Sequence, residues 1–168
     1  MKGMGRPRSI SVGIAITAIL LLGPSAARAS GSWSWPVVGP VLRAFDAPRT
    51  AFGSGHRGID IACRIGTPIL AAASGTVTFA GSVGGQRYVT VTHADGRQST
   101  ASWVDAVLVR RNDAVVAGQA LATCGFGHVG ALIPHVHFGV RMPDGTYVDP
   151  LVVLAPPRLS SFLRLAPR

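Results

Sequence analysis

Five histidines, at positions 56, 93, 128, 135 and 137, are the side chains of this 168-residue chain best suited to metal or acid–base chemistry. His56 and Asp60 enclose the pentad His-Arg-Gly-Ile-Asp, set after the loop Gly53-Ser54-Gly55. His135-Val136-His137 opens an apolar run that continues through Phe138 and Val140. Residues i and i+2 of a strand share a face, so His135 and His137 are predicted to project together while Val136 and Phe138 enter the core. Two imidazoles on one face are costly to bury without partners, and a metal ion or a shared substrate resolves that cost. Zinc fits best, because catalytic zinc sites take three N/O protein ligands and leave a fourth position for water. His56, Asp60 and one of the two strand histidines form such a His₂Asp set. The other strand histidine is then free to act on the water or on a developing oxyanion.

The elements that must position these residues read as short strands between turns. With 21 glycines and 12 prolines the chain turns often, and no window beyond the first thirty residues carries a 3.6-residue period. Strands are expected at Val41 to Phe45, Gly58 to Cys63, Gly75 to Ala80, Tyr88 to His93, Val115 to Ala122, Val136 to Arg141 and Tyr147-Val148, with Pro68 to Ala72 leading into the third. Val77 and Phe79 alternate with threonines, and Val89 and Val91 oppose Thr90 and Thr92. Gly84-Gly85, Asp95-Gly96 and Asp144-Gly145 supply hairpin turns. The expected fold is all-β, one compact domain of mostly antiparallel short strands. His93 flanks the Asp95-Gly96 turn and reads as a polar turn residue. Asp149 reads as a turn holder, and Trp33, Trp35 and Trp103 as packing against the sheet, with the lining of a wall-binding groove as the alternative.

Composition bounds the rest. Hydrophobic residues make up 48% and charged residues 14%, which excludes intrinsic disorder, and the length suits one domain. The acidic side chains are seven aspartates without a glutamate, and Lys2 is the only lysine. Lys2, Arg6 and Arg8 precede the apolar run Ile10 to Leu22, and Ala27-Arg28-Ala29 follows. These features read as a secretory signal over residues 1–29, the run being shorter than the ~20 residues of a membrane span. An uncleaved N-terminal anchor is the alternative. From Ser30 the chain would carry twelve arginines against seven aspartates, a net charge of +5. Outside the cell that charge suits an anionic wall. No nucleic-acid partner is expected, since Arg110-Arg111 is a lone pair without interleaved aromatics. Cys63 and Cys124 would lie in an oxidising compartment, either paired or as buried thiols. Residues 30–150 are read as one domain and 151–168 as a basic, proline-containing tail.

Taken in order, several segments together resemble the lysostaphin/LytM-type zinc metallopeptidases, which cut peptide bonds in bacterial cell walls. They are Gly55-His56-Arg57-Gly58-Ile59-Asp60-Ile61-Ala62, the run from Gly66-Thr67-Pro68 to Gly75-Thr76-Val77, Val116-Ala117-Gly118-Gln119, Pro134-His135-Val136-His137-Phe138-Gly139-Val140-Arg141 and Val148-Asp149-Pro150. The resemblance spans about Trp35 to Pro150. It implies the all-β LytM/lysostaphin groove, one Zn²⁺ held by His56, Asp60 and His137, and His135 as a catalytic histidine that does not bind the metal. It implies a metalloendopeptidase that acts on peptidoglycan stems or cross-bridges; with the signal segment, a secreted or extracytoplasmic, cell-wall-associated protein is expected, as a monomer.

One segment departs from the pattern. Where the family has Tyr-x-His-Leu with a second catalytic histidine, this chain reads Ser99-Thr100-Ala101-Ser102-Trp103-Val104, with Trp103 about where the histidine should stand. Indole neither accepts nor releases a proton near neutral pH. His128, in the glycine-rich loop Gly125-Phe126-Gly127-His128-Val129-Gly130, is the candidate substitute. The alternative function is a catalytically impaired domain of the same type that binds peptidoglycan or regulates another wall hydrolase through a protein partner. Gly66 to Gly81 is also similar to biotinyl and lipoyl carriers, but those modify a lysine and the chain beyond residue 2 has none.

Overall fold

The computed structural model describes residues 33–50 and 53–155. The expected signal segment 1–29 and most of the expected tail, 156–168, lie outside them. Among the described residues, eleven strands and one 3₁₀ turn make up the regular structure, with no α-helix. They are β1 (Val41–Arg43), β2 (Ile59–Ala62), β3 (Pro68–Leu70), β4 (Gly75–Val83), β5 (Gln86–His93), β6 (Gln98–Ser102), β7 (Val104–Val107), β8 (Ala114–Val115), β9 (Ala120–Cys124), β10 (His135–Arg141) and β11 (Tyr147–Val148), followed by the turn Pro150–Val152.

The larger sheet runs β1-β2-β10-β6-β5-β4-β8, with β11 also on β10, and the smaller runs β3-β9-β7. Every pairing is antiparallel, so the expected all-β class holds. Two hairpins build the middle of the larger sheet: Gly84-Gly85 turns β4 into β5 and Asp95-Gly96 turns β5 into β6. Threonine ladders knit it on one face, Thr90 to Thr100 at 3.0 Å and Thr78 to Thr92 at 3.2 Å between hydroxyls. On the other face Val77, Val89, Val91, Val136 and Val140 are buried with Ile59 and Ile61. Ile69, Leu121, Ala122 and Cys124 of the smaller sheet join the same core. Each such aliphatic side chain is worth about 1.5–3 kcal/mol when fully buried.

Four details differ from the sequence reading. A bulge at Thr78 shifts the β4–β5 register between Val77 and Phe79, so Phe79 leaves the core face and is 37% exposed. The expected strand Val115 to Ala122 is two strands in different sheets, because the chain turns at Gly118, which has φ +82°. β7 was not anticipated. It follows Trp103, whose φ of +65° breaks the run from β6 and sends the chain to the other sheet. Finally, the chain stays packed beyond Pro150: Trp33 and Leu154 form a parallel bridge, and the Trp35 indole N–H donates to the Ala155 carbonyl at 2.6 Å. Asp149 caps the 3₁₀ turn, its carboxylate accepting from the Leu151 amide at 2.9 Å, in line with its expected turn role.

Candidate metal centre

β10 lies between β2 and β6, and its pairing places His137 opposite Asp60 on one side and Ser102 on the other. His135, His137 and Gly139 share one face, while Val136, Phe138 and Val140 fill the core behind them. His56 comes from the loop before β2, fixed by a bridge between Asp46 and His56. Gly58 lets that loop lie on β10, since a Cβ there would stand 2.4 Å from the Phe138 carbonyl oxygen and 2.7 Å from His137 Nε2. A side chain at 58 would therefore push His137 out of line.

Three donor atoms converge. His56 Nε2 lies 3.0 Å from Asp60 Oδ1, His137 Nδ1 lies 2.9 Å from the same oxygen, and the two ring nitrogens are 3.0 Å apart. The His56 Nδ1–H donates to the Ala44 carbonyl at 2.7 Å, so a neutral ring turns its Nε2 lone pair inward. Three lone-pair donors facing one another at this range need a cation, or protons, between them. Their separations fall a few tenths of an ångström short of the ~3.3 Å between ligands of a tetrahedral site with ~2.0 Å bonds. The residues present fit a zinc ion. Asp60 is only 2% exposed. Burial pushes its carboxyl pKa up, but the His137 hydrogen bond and the fields of His56, His137 and His135 outweigh this and hold it below 3.8. The carboxylate is therefore the resting form, as a ligand must be.

Two further imidazoles border this group. His135 is 3% exposed. Its Nδ1–H donates to the Ile133 carbonyl at 2.8 Å, and its Nε2 is buried with no hydrogen-bond partner among the described residues. The His128 ring meets that of His135 at 4.7 Å between centroids, and its Nε2 lies 3.7 Å from Asp60 Oδ2. The expected ligand set, the expected catalytic histidine and the candidate substitute are thus gathered in one place. Asp60, His128 and His135 form a second grouping of metal-binding shape that shares Asp60 with the first.

A cleft of about 540 Å³ opens over His56, His137 and His128. Trp103 lines it, the alternative to packing against the sheet, its ring 6.1 Å from that of His128. Tyr88, Tyr147 and Arg43 line it too and were not singled out from the sequence. Tyr88 could have been, because β5–β6 pairing sets it opposite Ser102, next to the departure at Trp103. His93 also differs from expectation. It is in phase with Val89 and Val91 and so turns inward, 5% exposed, between the Ser74 carbonyl at 3.0 Å and the Ser99 hydroxyl at 2.9 Å. Its ring packs on Trp33 at 4.2 Å, well away from the ligand group in role. Cys63 and Cys124 are joined in a disulfide.

The fold is an antiparallel β-sheet groove with a His/Asp cluster on its floor, and the chain belongs to peptidase family M23, whose model matches residues 54–150. Among its relatives, an uncharacterized protein of Mycobacterium tuberculosis strain H37Rv is 35% identical over 95% of this chain and 65% of its own length. The murein hydrolase activator NlpD of Escherichia coli K12 is 36% identical over 71% of this chain and 30% of its own. The chain thus spans less than two thirds of these relatives. Among solved structures, a mutant of the catalytic domain of the prophage-encoded M23 protein EnpA from Enterococcus faecalis aligns with TM-score 0.56 and 28% identity over 70% of this chain and 95% of that one. The catalytic domain of lysostaphin from Staphylococcus simulans aligns with TM-score 0.60 and 23% identity over 68% and 90%, a likeness of fold. Among the described residues no helix is long and apolar enough to cross a membrane.

Proposed function

We propose that the chain is an exported zinc metalloendopeptidase that hydrolyses peptide bonds of peptidoglycan. The observation that carries this reading is the convergence of His56 Nε2, Asp60 Oδ1 and His137 Nδ1 within 3.0 Å of one another on the floor of an open cleft. Membership of family M23 supports the hydrolase class, and the relative named for murein supports the cell wall as its place of action. Export rests on the signal-like segment 1–29, and the working domain on residues 30–150 with the packed continuation to Leu154.

His56, Asp60 and His137 would hold the zinc ion. When bound there, the ion supplies Lewis-acid activation of water and polarisation of the scissile carbonyl. His135 keeps its Nδ1 proton on the Ile133 carbonyl, so its Nε2 lone pair takes a proton from the attacking water and later returns it to the leaving amine nitrogen. Asp60, through its contacts with both ligand histidines, keeps their donor atoms aimed at one point. The core face of β10 fixes the whole floor, because turning the strand to redirect His137 would expose Val136 and Phe138.

A second reading is favoured by two observations: the likeness to a murein hydrolase activator and the indole at position 103. In that reading the domain binds peptidoglycan or controls another hydrolase. The deciding experiment incubates the chain from Ser30, loaded with zinc, with purified peptidoglycan, and examines released fragments by mass spectrometry. New peptide termini that vanish in His137→Ala establish the peptidase and identify the bond. Binding without new termini supports the regulatory reading.

A further inference from the structure

Two imidazoles border the candidate metal centre, His128 from the cleft and His135 buried beneath the loop that carries His128. The His135 Nδ1–H is committed to the Ile133 carbonyl at 2.8 Å, and that of His128 to the Val129 carbonyl at 3.3 Å. In neutral rings both Nε2 atoms then carry lone pairs, and one ring nitrogen of each groups with an Asp60 carboxylate oxygen, all within 4.8 Å of one another. His135 Nε2 is buried without a partner among the described residues, while His128 Nε2 stands 3.7 Å from Asp60 Oδ2. A water molecule between two such acceptors donates both its hydrogens to them and turns its own lone pair away from them, which is the posture of a nucleophile.

His128 is held at this spot by covalent and steric devices. The loop that bears it begins directly after Cys124, and the Cys63–Cys124 bond ties that point to the end of β2, the strand that carries Asp60. Gly125 passes under Trp103, where a Cβ would lie 2.6 Å from the Trp103 carbonyl oxygen. Gly127, with φ +90°, lies flat on His135, where a Cβ would stand 2.3 Å from the ring Cε1. Trp103 itself adopts φ +65°, a left-handed conformation that a bulky non-glycine residue seldom takes, and its ring edge meets the His128 ring at 6.1 Å and 76°. Strain of this kind persists where the surrounding structure imposes it, commonly at working sites. Here it sets an apolar wall behind an imidazole that is 41% exposed and faces the cleft.

We propose that His128 is a catalytic residue, the second imidazole of this site, brought in by the glycine-rich loop beside the Trp103 ring. This rests on the metallopeptidase reading above. His128 and His135 together hold the water; one Nε2 takes a proton as the water oxygen bonds to the carbonyl carbon. The carbonyl electron pair moves to its oxygen, then returns as the C–N bond breaks and the proton passes to the departing amine. Atoms and charge balance with water as the only added reactant. Trp103 and the Cys63–Cys124 bond act as positioning groups.

The test compares the chain from Ser30 with His128→Ala and His128→Gln on purified peptidoglycan, with zinc content measured alongside and the affinity for a phosphinic peptide, a mimic of the tetrahedral intermediate, measured by calorimetry. Cleavage should fall at least about 100-fold in both variants, and the phosphinic peptide should bind at least ~10-fold more weakly. Zinc stoichiometry and thermal unfolding should stay unchanged, which a merely structural role would not predict. Unchanged cleavage or unchanged mimic affinity overturns the assignment. So does loss of zinc, which would make His128 a ligand in the alternative grouping with Asp60 and His135. If the unsubstituted chain itself neither cleaves nor binds the mimic, the peptidase reading falls and takes this one with it. An active parent with an equally active His128→Ala removes this inference alone.

Discussion

At the scale of a single residue, His93 is a buried imidazole whose charged form the fold disfavours. Burial disfavours its charged form and outweighs the Ser74 carbonyl, which favours it, so its pKa lies below the ordinary 6.5. The unfolded chain therefore takes up a proton first as pH falls. The stability His93 contributes is complete above pH 6.5 and is lost as pH drops through that value toward the folded pKa. Urea unfolding midpoints at pH 7.5 and pH 5 should show a larger acid loss in the parent than in His93→Gln; parallel losses would mean that other groups set the dependence. Asp60 is held below 3.8 and acts in a lower window, so it does not blur the comparison. Gly127→Ala makes a second residue-scale test. It combines a positive φ with a collision at the His135 ring, so stability should fall by about 1 kcal/mol and peptidoglycan cleavage by at least ~10-fold, because the ring must move. Cleavage at the parent rate with that stability loss would show that the ring position is not critical. The shared face of His135 and His137 was legible in the sequence from the i, i+2 rule alone. The meeting of His128 with Asp60 was not, because it depends on a loop laid back across the sheet by contacts distant in sequence.

Among the elements, the hairpins and the β4–β5–β6 meander were readable because turn residues and period-2 alternation are local signals. The bulge at Thr78 and the split between β8 and β9 were not, since both depend on which sheet the chain must join next. The element with most leverage on the site is the β9–β10 loop, and its anchor is the disulfide. Cys63 and Cys124 are 61 residues apart, and closing a loop of that length in the unfolded chain corresponds to about 4 kcal/mol by chain entropy. Cys63→Ala/Cys124→Ala should therefore lose roughly 2–4 kcal/mol in urea unfolding under oxidising conditions. Cleavage per folded molecule should fall further than zinc content does, because the bond fixes the loop that bears His128 more than it fixes His56 or His137. If activity per folded molecule and zinc content stay level together, the loop is held by its glycine contacts without the bond.

Over the whole molecule, charge is the property that the fold leaves to solvent. From Ser30 onward twelve arginines face seven aspartates, and Arg43, Arg49, Arg64, Arg110, Arg111 and Arg141 are all exposed. Arginines spread over a surface give a long-range field that concentrates the protein on an anionic polymer and does little for chemistry in the cleft. The two contributions separate by salt. From roughly 0.1 M to 1 M ionic strength the Debye length shrinks from about 10 Å to about 3 Å. Retention on cell walls that keep their anionic polymers should therefore drop sharply over that range in a sedimentation assay. Cleavage of a short soluble peptide cut from the wall should change little, since its contacts lie within the cleft. Walls stripped of anionic polymers should retain the protein weakly at every salt concentration. Salt-independent retention would place wall binding in the cleft itself, with Tyr88, Trp103 and Tyr147 as its contact surface, and would leave the basic exterior without a part in it.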